Sequence, residues 1–239
     1  WLVWMHNGLV GEGEQRMLQF WPLSDLPRHS EAQFCLALAR LNVGVGREVH
    51  WLAARQAEAL YRELGDDERL GDALLLAATI GQVTGHVQEA ELLLREAESL
   101  MSDASPLRKQ AALAATQGGY HLHFGRAEQA VAAFERQREL YHRVGAELGE
   151  YIALGNVGSA QLDAGDLNAA VDSLQRSVDG LRRINAPYGW EHRVGKLAIA
   201  RAWRGDAADI LPLAREAFDF LRSSGRSFTP VMAAAMQYA

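Results

Sequence analysis

The chain has 239 residues, of which 49% are hydrophobic and 23% charged, and its formal net charge is −6 at pH 7. No basic stripe accompanies this acidic balance, so we expect no direct contact with DNA or RNA. No apolar run reaches the ~18 residues of a membrane span, and the single cysteine, Cys35, excludes an internal disulfide bond. We therefore expect a protein of the reducing cytoplasm that makes no membrane contact.

The first 27 residues are predicted to form a half-repeat and a linker. Trp1, Trp4 and Trp21 make this end strongly apolar, so it packs either on an upstream domain or on the next repeat. Pro22 and Pro27 stop the helical pieces on either side of the linker. Because the chain opens on Trp1 instead of methionine, we expect it to be a fragment of a longer protein.

Five helix pairs are predicted within residues 28–225, which we interpret as one repeat array. The predicted helices span residues 30–43 and 47–64, 67–84 and 86–102, 105–124 and 126–144, 147–164 and 166–184, and 188–204 and 206–223. Ser105 and Pro106 favour a helix start, with a cap followed by proline. Thr229 and Pro230 repeat that signal in residues 226–239, which predicts the start of a further, truncated helix. No stretch alternates as a β-strand does, so the predicted fold class is all-α.

One turn organises this array. In it, Gly165 can leave the right-handed helical region and Asp166 is placed to cap the next helix, while Gly158 lets the paired helix come close. The turn glycine recurs every 40 residues, as Gly85, Gly125, Gly165 and Gly205. A second turn recurs as Gly65, Gly145, Asn185 and Gly225, and small residues follow the first turn at Ala90, Ala130 and Ala170. Repetition at one fixed period is typical of a solenoid.

The repeat resembles the tetratricopeptide repeat (TPR), in which paired helices carry small residues where they touch. The turns Gly165-Asp166, Gly205-Asp206 and Gly125-Arg126, with the Ala, Leu/Phe and Ala/Ser positions after them, match that motif over about residues 30–225. The period exceeds the usual 34 residues, and the closing proline is missing. The longer form, with Leu64-Gly65-Asp66 between repeats, is more similar to the arrays of MalT-like and LuxR-type bacterial transcriptional activators. The resemblance implies a right-handed superhelix, with attached ATPase and DNA-binding domains outside this chain.

The sequence shows no motif for a cofactor, a metal or an enzymatic reaction. The glycine clusters near Gly8 and Gly44 follow no strand and precede no Gly-Lys-Ser/Thr, so they are not phosphate loops. His121 and His123 are two positions apart and point in different directions on a helix, so they cannot bind one metal ion. We expect a non-catalytic protein without a cofactor.

The resemblance implies that the first helix of each pair lines a concave face, and we predict the binding site there. Helix-interior glycines at Gly119, Gly155 and Gly195 cost about 1 kcal/mol each relative to alanine, which indicates that space on this face is used. The alternative is that these glycines only let adjacent helices pack closely. The predicted ligand- or partner-binding residues are Tyr120, His123, Asn156, Ser159, Asp163, Lys196 and Trp203.

Three functions are compatible with such a groove. The first is a sensor array that binds a small-molecule inducer, or a protein or peptide partner, and acts on the attached ATPase and DNA-binding domains of a transcriptional regulator. The second is a scaffold that only docks other proteins. The third is a helical-toroid enzyme, which would require convergent carboxylates in a deep pocket. The resemblance favours the first function.

Overall fold

The structure of this chain, a computed structural model, describes residues 4, 10–21, 26–41, 47–186, 189–206 and 210–223. These residues form eleven α-helices and no strand, which confirms the all-α fold class. None of the described helices is both long and apolar enough to cross a bilayer. Gly8 in the predicted half-repeat, the predicted turns at Gly44 and Gly225, and the predicted helix from Thr229 lie outside the described residues.

The chain divides into two compact units, residues 1–5 with 10–120 and residues 6–9 with 121–239. The helices of the first unit are α1 (Val10–Leu18), α2 (Arg28–Arg40), α3 (Glu48–Leu64), α4 (Asp67–Thr84) and α5 (Val87–Ser99). The boundary between the two units lies within the helix α6 (Leu107–His123), after Tyr120. The second unit continues with α7 (Ala127–Arg143), α8 (Glu147–Asp163), α9 (Leu167–Arg183), α10 (Trp190–Arg204) and α11 (Ile210–Ser223).

The turns between helices confirm the predicted 40-residue register. Gly85, Gly125, Gly165 and Gly205 have φ angles of 89°, 68°, 82° and 94°, in the left-handed region that favours glycine. The second turn has the same geometry at Gly65, Gly145 and Asn185, with φ angles of 64°, 63° and 52°. The cap is also as predicted, because Oδ1 of Asp166 accepts a hydrogen bond from the backbone N–H of Ala169 at 3.1 Å.

The connection between α5 and α6 departs from the prediction. α5 ends at Ser99, three residues before the predicted end, and α6 begins at Leu107. The hydroxyl of Ser105 accepts from the backbone N–H of Ser102 at 3.0 Å, within a turn that this connection forms before the helix. Its oxygen therefore closes the loop, and the interpretation of Ser105 as the cap of α6 is wrong.

Small residues allow the helices of each pair to approach closely. Ala130 and Ala170 have no exposed surface, as predicted for the positions where paired helices touch. Ala170 belongs to a core of the second unit that Leu174, Leu181 and Leu197 help to build. In the first unit, Cys35 is buried among apolar side chains, and burial raises the pKa of its thiol to about 11.

The described part of the N-terminal end packs on the repeat array. Met17 of α1 belongs to the core of the first unit, and Trp4 and Trp21 pack against that core. The buried carboxylate of Glu14 pairs with Arg47 at the start of α3 and lies 3.5 Å from Nε2 of His50. Of the two alternatives for this apolar end, packing on the next repeat therefore holds for the described residues.

Candidate functional site

The candidate site lies on α8 and α10, the first helices of two successive pairs in the second unit. Both helices pack against α9, which lies between them in the chain. Equivalent positions of the two helices are 40 residues apart, so Asn156 on α8 corresponds to Lys196 on α10. The two helices therefore present different polar groups at one repeat position.

A buried arginine joins these two helices. Arg193 of α10 is only 8% exposed, and its Nη2 donates to the carbonyl oxygen of Ile152 at 3.3 Å and to Oδ1 of Asn156 at 3.2 Å, both on α8. Its Nη1 donates to the carbonyl oxygen of Gly189 at 2.9 Å. These three acceptors are neutral oxygens, and together they fix the position of the guanidinium between α8 and the start of α10.

Asn156 completes this connection on its other side. Its Nδ2 donates to Oε1 of Gln137, a buried side chain of α7, at 3.2 Å. Both ends of the Asn156 amide therefore have partners within the protein, and the residue relays polar contacts from α7 through α8 to α10. Ser159 is engaged as well, because its hydroxyl donates to the carbonyl oxygen of Gly155 at 2.9 Å.

The space beside two helix-interior glycines is filled by neighbouring side chains. A Cβ atom at Gly155 would lie 2.7 Å from both Cγ and Nε of Arg193. A Cβ atom at Gly119, in the first unit, would lie 2.6 Å from Oε1 of Gln82. Side chains of other helices therefore occupy the space beside both glycines, so these two positions do not indicate a hollow face.

Two polar side chains near Arg193 have no partner within the described structure. Lys196 and His192 are half-buried, and neither forms a hydrogen bond or an ion pair with any described residue. Burial and, to a smaller extent, the positive charges of Arg193 and Lys196 together lower the pKa of His192 to about 3. At neutral pH the site thus combines two cations with an uncharged imidazole that retains one N–H donor.

The remaining predicted site residues occupy three different settings. His123 and Asp163 are exposed near the ends of α6 and α8, and Trp203 near the end of α10 is 54% exposed. Lys196 and Trp203 are seven residues apart, two turns along one face of α10. Tyr120 belongs to the first unit and packs against its core.

Sequence reasoning missed His192 and Arg193. A signal was present, because the stretch from His192 to Lys196 carries three basic side chains within five residues. Within the part of the chain that the structure describes, no three His, Cys, Asp or Glu side chains are grouped so that they could hold a metal ion. The chemistry that the arrangement offers is the binding of an anionic or hydrogen-bonding group from outside.

No protein-family model matches the chain, and no curated protein does either. Solved structures do resemble it. The crystal structure of BtubC (BKLC) from P. vanneervenii has a TM-score of 0.63 at 14% identity, over 94% of this chain and 92% of that one. The Rap protein complexed with Competence and Sporulation Factor has a TM-score of 0.68 at 15% identity, over 98% of this chain and 66% of that one.

A third similar structure is a signal transduction ATPase with numerous domains (STAND) from Pyrococcus horikoshii, which carries a tetratricopeptide repeat sensor. Its TM-score is 0.56 at 11% identity, over 97% of this chain and 35% of that one. The present chain thus spans about a third of the STAND protein's length. These likenesses establish the fold: the chain is a TPR-like helical repeat array, an α-solenoid.

Proposed function

We propose that this chain is a non-catalytic sensor module that binds a protein or peptide partner, or a small-molecule inducer, through α8 and α10. In this proposal the module belongs to a larger bacterial transcriptional regulator, whose ATPase and DNA-binding domains respond to the bound partner. Two of the similar structures support a binding role by analogy, since one is a complex with a named factor and the other carries a repeat sensor.

One observation carries the proposal. On a single face of α10, Lys196 is a half-buried residue whose ammonium group has no partner among the described residues, and Trp203 is an indole 54% exposed to solvent. An ammonium group without a counter-ion in the protein can pair with an anionic group of a partner, and an exposed aromatic ring supplies apolar contact area to it. Binding sites combine such apolar surface with a few polar groups that fix orientation.

A selection from a random peptide display library against the whole 239-residue chain tests this proposal. We expect selected peptides to lose more than about tenfold in affinity to the Lys196→Ala and Trp203→Ala variants, because each removes a contact worth over about 1.4 kcal/mol. Affinity would be measured by isothermal titration calorimetry. Thermal melting of both variants within a few degrees of the parent would show that the fold is intact.

A matched control is Arg176→Ala on α9. Arg176 is exposed and pairs with Asp172 on its own helix, so its removal should leave peptide affinity unchanged. Peptides that bind all three variants as they bind the parent would place the binding surface elsewhere. A parallel thermal-shift screen with small molecules separates the two partner classes. If a small molecule raises the melting temperature of the parent but not of Lys196→Ala, the result supports inducer sensing. If only peptides bind, the result supports the scaffold alternative.

A further inference from the structure

We infer that the partner of this site is an acidic peptide segment, whose carboxylate lies between Lys196 and His192 and whose apolar residue about three positions away lies on Trp203. This inference rests on the proposed function and names the chemistry of the partner. It follows from the side chains that lack partners, from the charges around them and from the spacing along α10.

The first step concerns the two side chains without partners. His192 and Lys196 are four residues apart, so they lie next to each other on one face of α10. Both are half-buried, and no described residue accepts a hydrogen bond from either. Neighbouring donors that have no acceptor within the described structure can both donate to one external group, which makes an acceptor between them favourable.

The second step concerns charge. Lys196 and Arg193 are like charges on adjacent turns, and their positive charges lower the pKa of His192 in addition to the larger effect of burial. An entering carboxylate would offset this repulsion and would accept hydrogen bonds from the Lys196 ammonium and the imidazole N–H. The chain as a whole has a net charge of −6, so the attraction of anions is local to this cluster.

The third step concerns the carboxylates of α8, α9 and α11, the helices that pack against α10. Several of them already have a basic partner. These pairs are Glu150 with His142, Glu147 with Arg183, Asp172 with Arg176, Asp179 with Arg182, Glu216 with Arg182, and Asp219 with Arg222. Among the described residues, none of these carboxylates forms an ion pair with Lys196, so they leave its ammonium group open to a carboxylate from outside.

The fourth step concerns distance. Lys196 and Trp203 are separated by seven residues, which corresponds to a rise of about 10 Å along the helix axis. An extended peptide advances about 3.4 Å per residue, so about three residues cover this span. A small anion such as phosphate would reach the basic groups but would leave the indole of Trp203 without contact.

The test uses a synthetic peptide of about twelve residues that carries two adjacent Glu residues and a Leu about three positions after them. Matched peptides replace both Glu residues by Gln or by Lys. With the parent chain, we expect the Glu peptide to bind more than about tenfold more tightly than the Gln peptide in calorimetry. The Lys196→Glu variant should reverse this preference and bind the Lys peptide more tightly than the Glu peptide. Melting curves by circular dichroism check that the variant is folded.

The possible results separate this inference from the proposed function. Library-selected peptides that need Lys196 but carry no acidic residue would overturn the inference and leave the proposed function standing. Failure of every peptide to bind would overturn both. Equal affinity for the Glu and Gln peptides would also overturn the inference, because it excludes recognition of the carboxylate charge. Full competition by inorganic phosphate, at concentrations below that of the peptide, would overturn it as well, because it indicates a site for a small anion.

Discussion

Gly158 of α8 lies directly against Leu174 of α9, so closely that a Cβ atom on the glycine would be 2.7 Å from Cγ of the leucine. The same Cβ atom would lie 3.0 Å from the backbone nitrogen of Leu174, which cannot rotate away. This contact fixes how near the two helices of the pair come to each other. The absence of a side chain at one position thus sets the geometry of the α8–α9 pair.

We expect Gly158→Ala to destabilise the protein by about 1–3 kcal/mol, because a methyl group overpacks this contact. The measurement is urea denaturation followed by circular dichroism. Gly71→Ala is the matched control: Gly71 is a buried helical glycine of α4, and a Cβ there would meet no atom within 4 Å. That variant should gain about 0.5–1 kcal/mol from helix propensity, so equal effects at both sites would contradict the packing argument.

A second prediction concerns Ala170, which is fully buried between α8 and α9. Ala170→Leu should cost about 1–3 kcal/mol, because the larger side chain has no space between closely packed helices. Ala132→Leu on α7 adds the same side chain at an exposed position and should change stability by less than about 0.5 kcal/mol. Thermal melting of the two variants side by side compares them. A melting temperature of Ala170→Leu equal to that of the parent would be inconsistent with the register of the repeats.

A third prediction concerns Arg193 and Asn156. Arg193→Met keeps the length of the buried side chain but removes the donors to Ile152 and Asn156, so we expect a loss of about 1–3 kcal/mol. A double-mutant cycle with Asn156→Ala isolates the bond between the two side chains. A coupling free energy of about 0.5–3 kcal/mol is expected for groups in contact, and additive effects would show that this hydrogen bond contributes nothing.

A fourth prediction is a dependence of stability on pH that comes from His192. Its pKa is lowered to about 3 in the folded protein, below the unperturbed value of 6.5, so the unfolded state binds the proton first. The contribution of neutral His192 is therefore complete above about pH 6.5 and is lost progressively as the pH falls towards 3. His192→Gln should show a shallower loss of the free energy of unfolding between pH 7.5 and pH 4 in urea titrations.

A second variant checks the cause of this shift. Lys196→Met removes one of the two positive charges that lower the pKa of His192, so it should raise that pKa. Nuclear magnetic resonance of the His192 ring in Lys196→Met and in the parent would measure the change. A pKa of His192 that stays the same in this variant would assign the shift to burial and Arg193 alone.

The turns could be predicted because they depend on local properties of single residues. Glycine is the residue that most readily adopts a positive φ, so its recurrence at Gly85, Gly125, Gly165 and Gly205 revealed the period and the helix ends. Asn185 takes the same left-handed conformation with a side chain, and only its place in the register identified it as a turn. The burial of Ala130 and Ala170 was predicted from the same register.

The candidate site was less predictable because it depends on side chains that come from other helices. Nothing in the spacing of Gly155 shows that Arg193, 38 positions later, fills the space beside it. The register correctly paired Asn156 with Lys196 as equivalent positions, but it could not show that Asn156 is used internally while Lys196 has no partner among the described residues. Long flexible side chains choose among several neighbours, and only the assembled structure fixes that choice.

Within each unit, most helices pack on their neighbours in the chain, and the bonds that join α8 to α10 across one intervening helix link residues only 37 and 41 positions apart. Closing such short loops costs little entropy, so a chain with this contact pattern has a low contact order and is expected to fold rapidly. During synthesis, each helix pair can pack on its predecessor as soon as about forty further residues have left the ribosome. Assembly therefore need not wait for the end of the chain, and the apolar surface of a growing unit is covered within a few seconds at usual elongation rates.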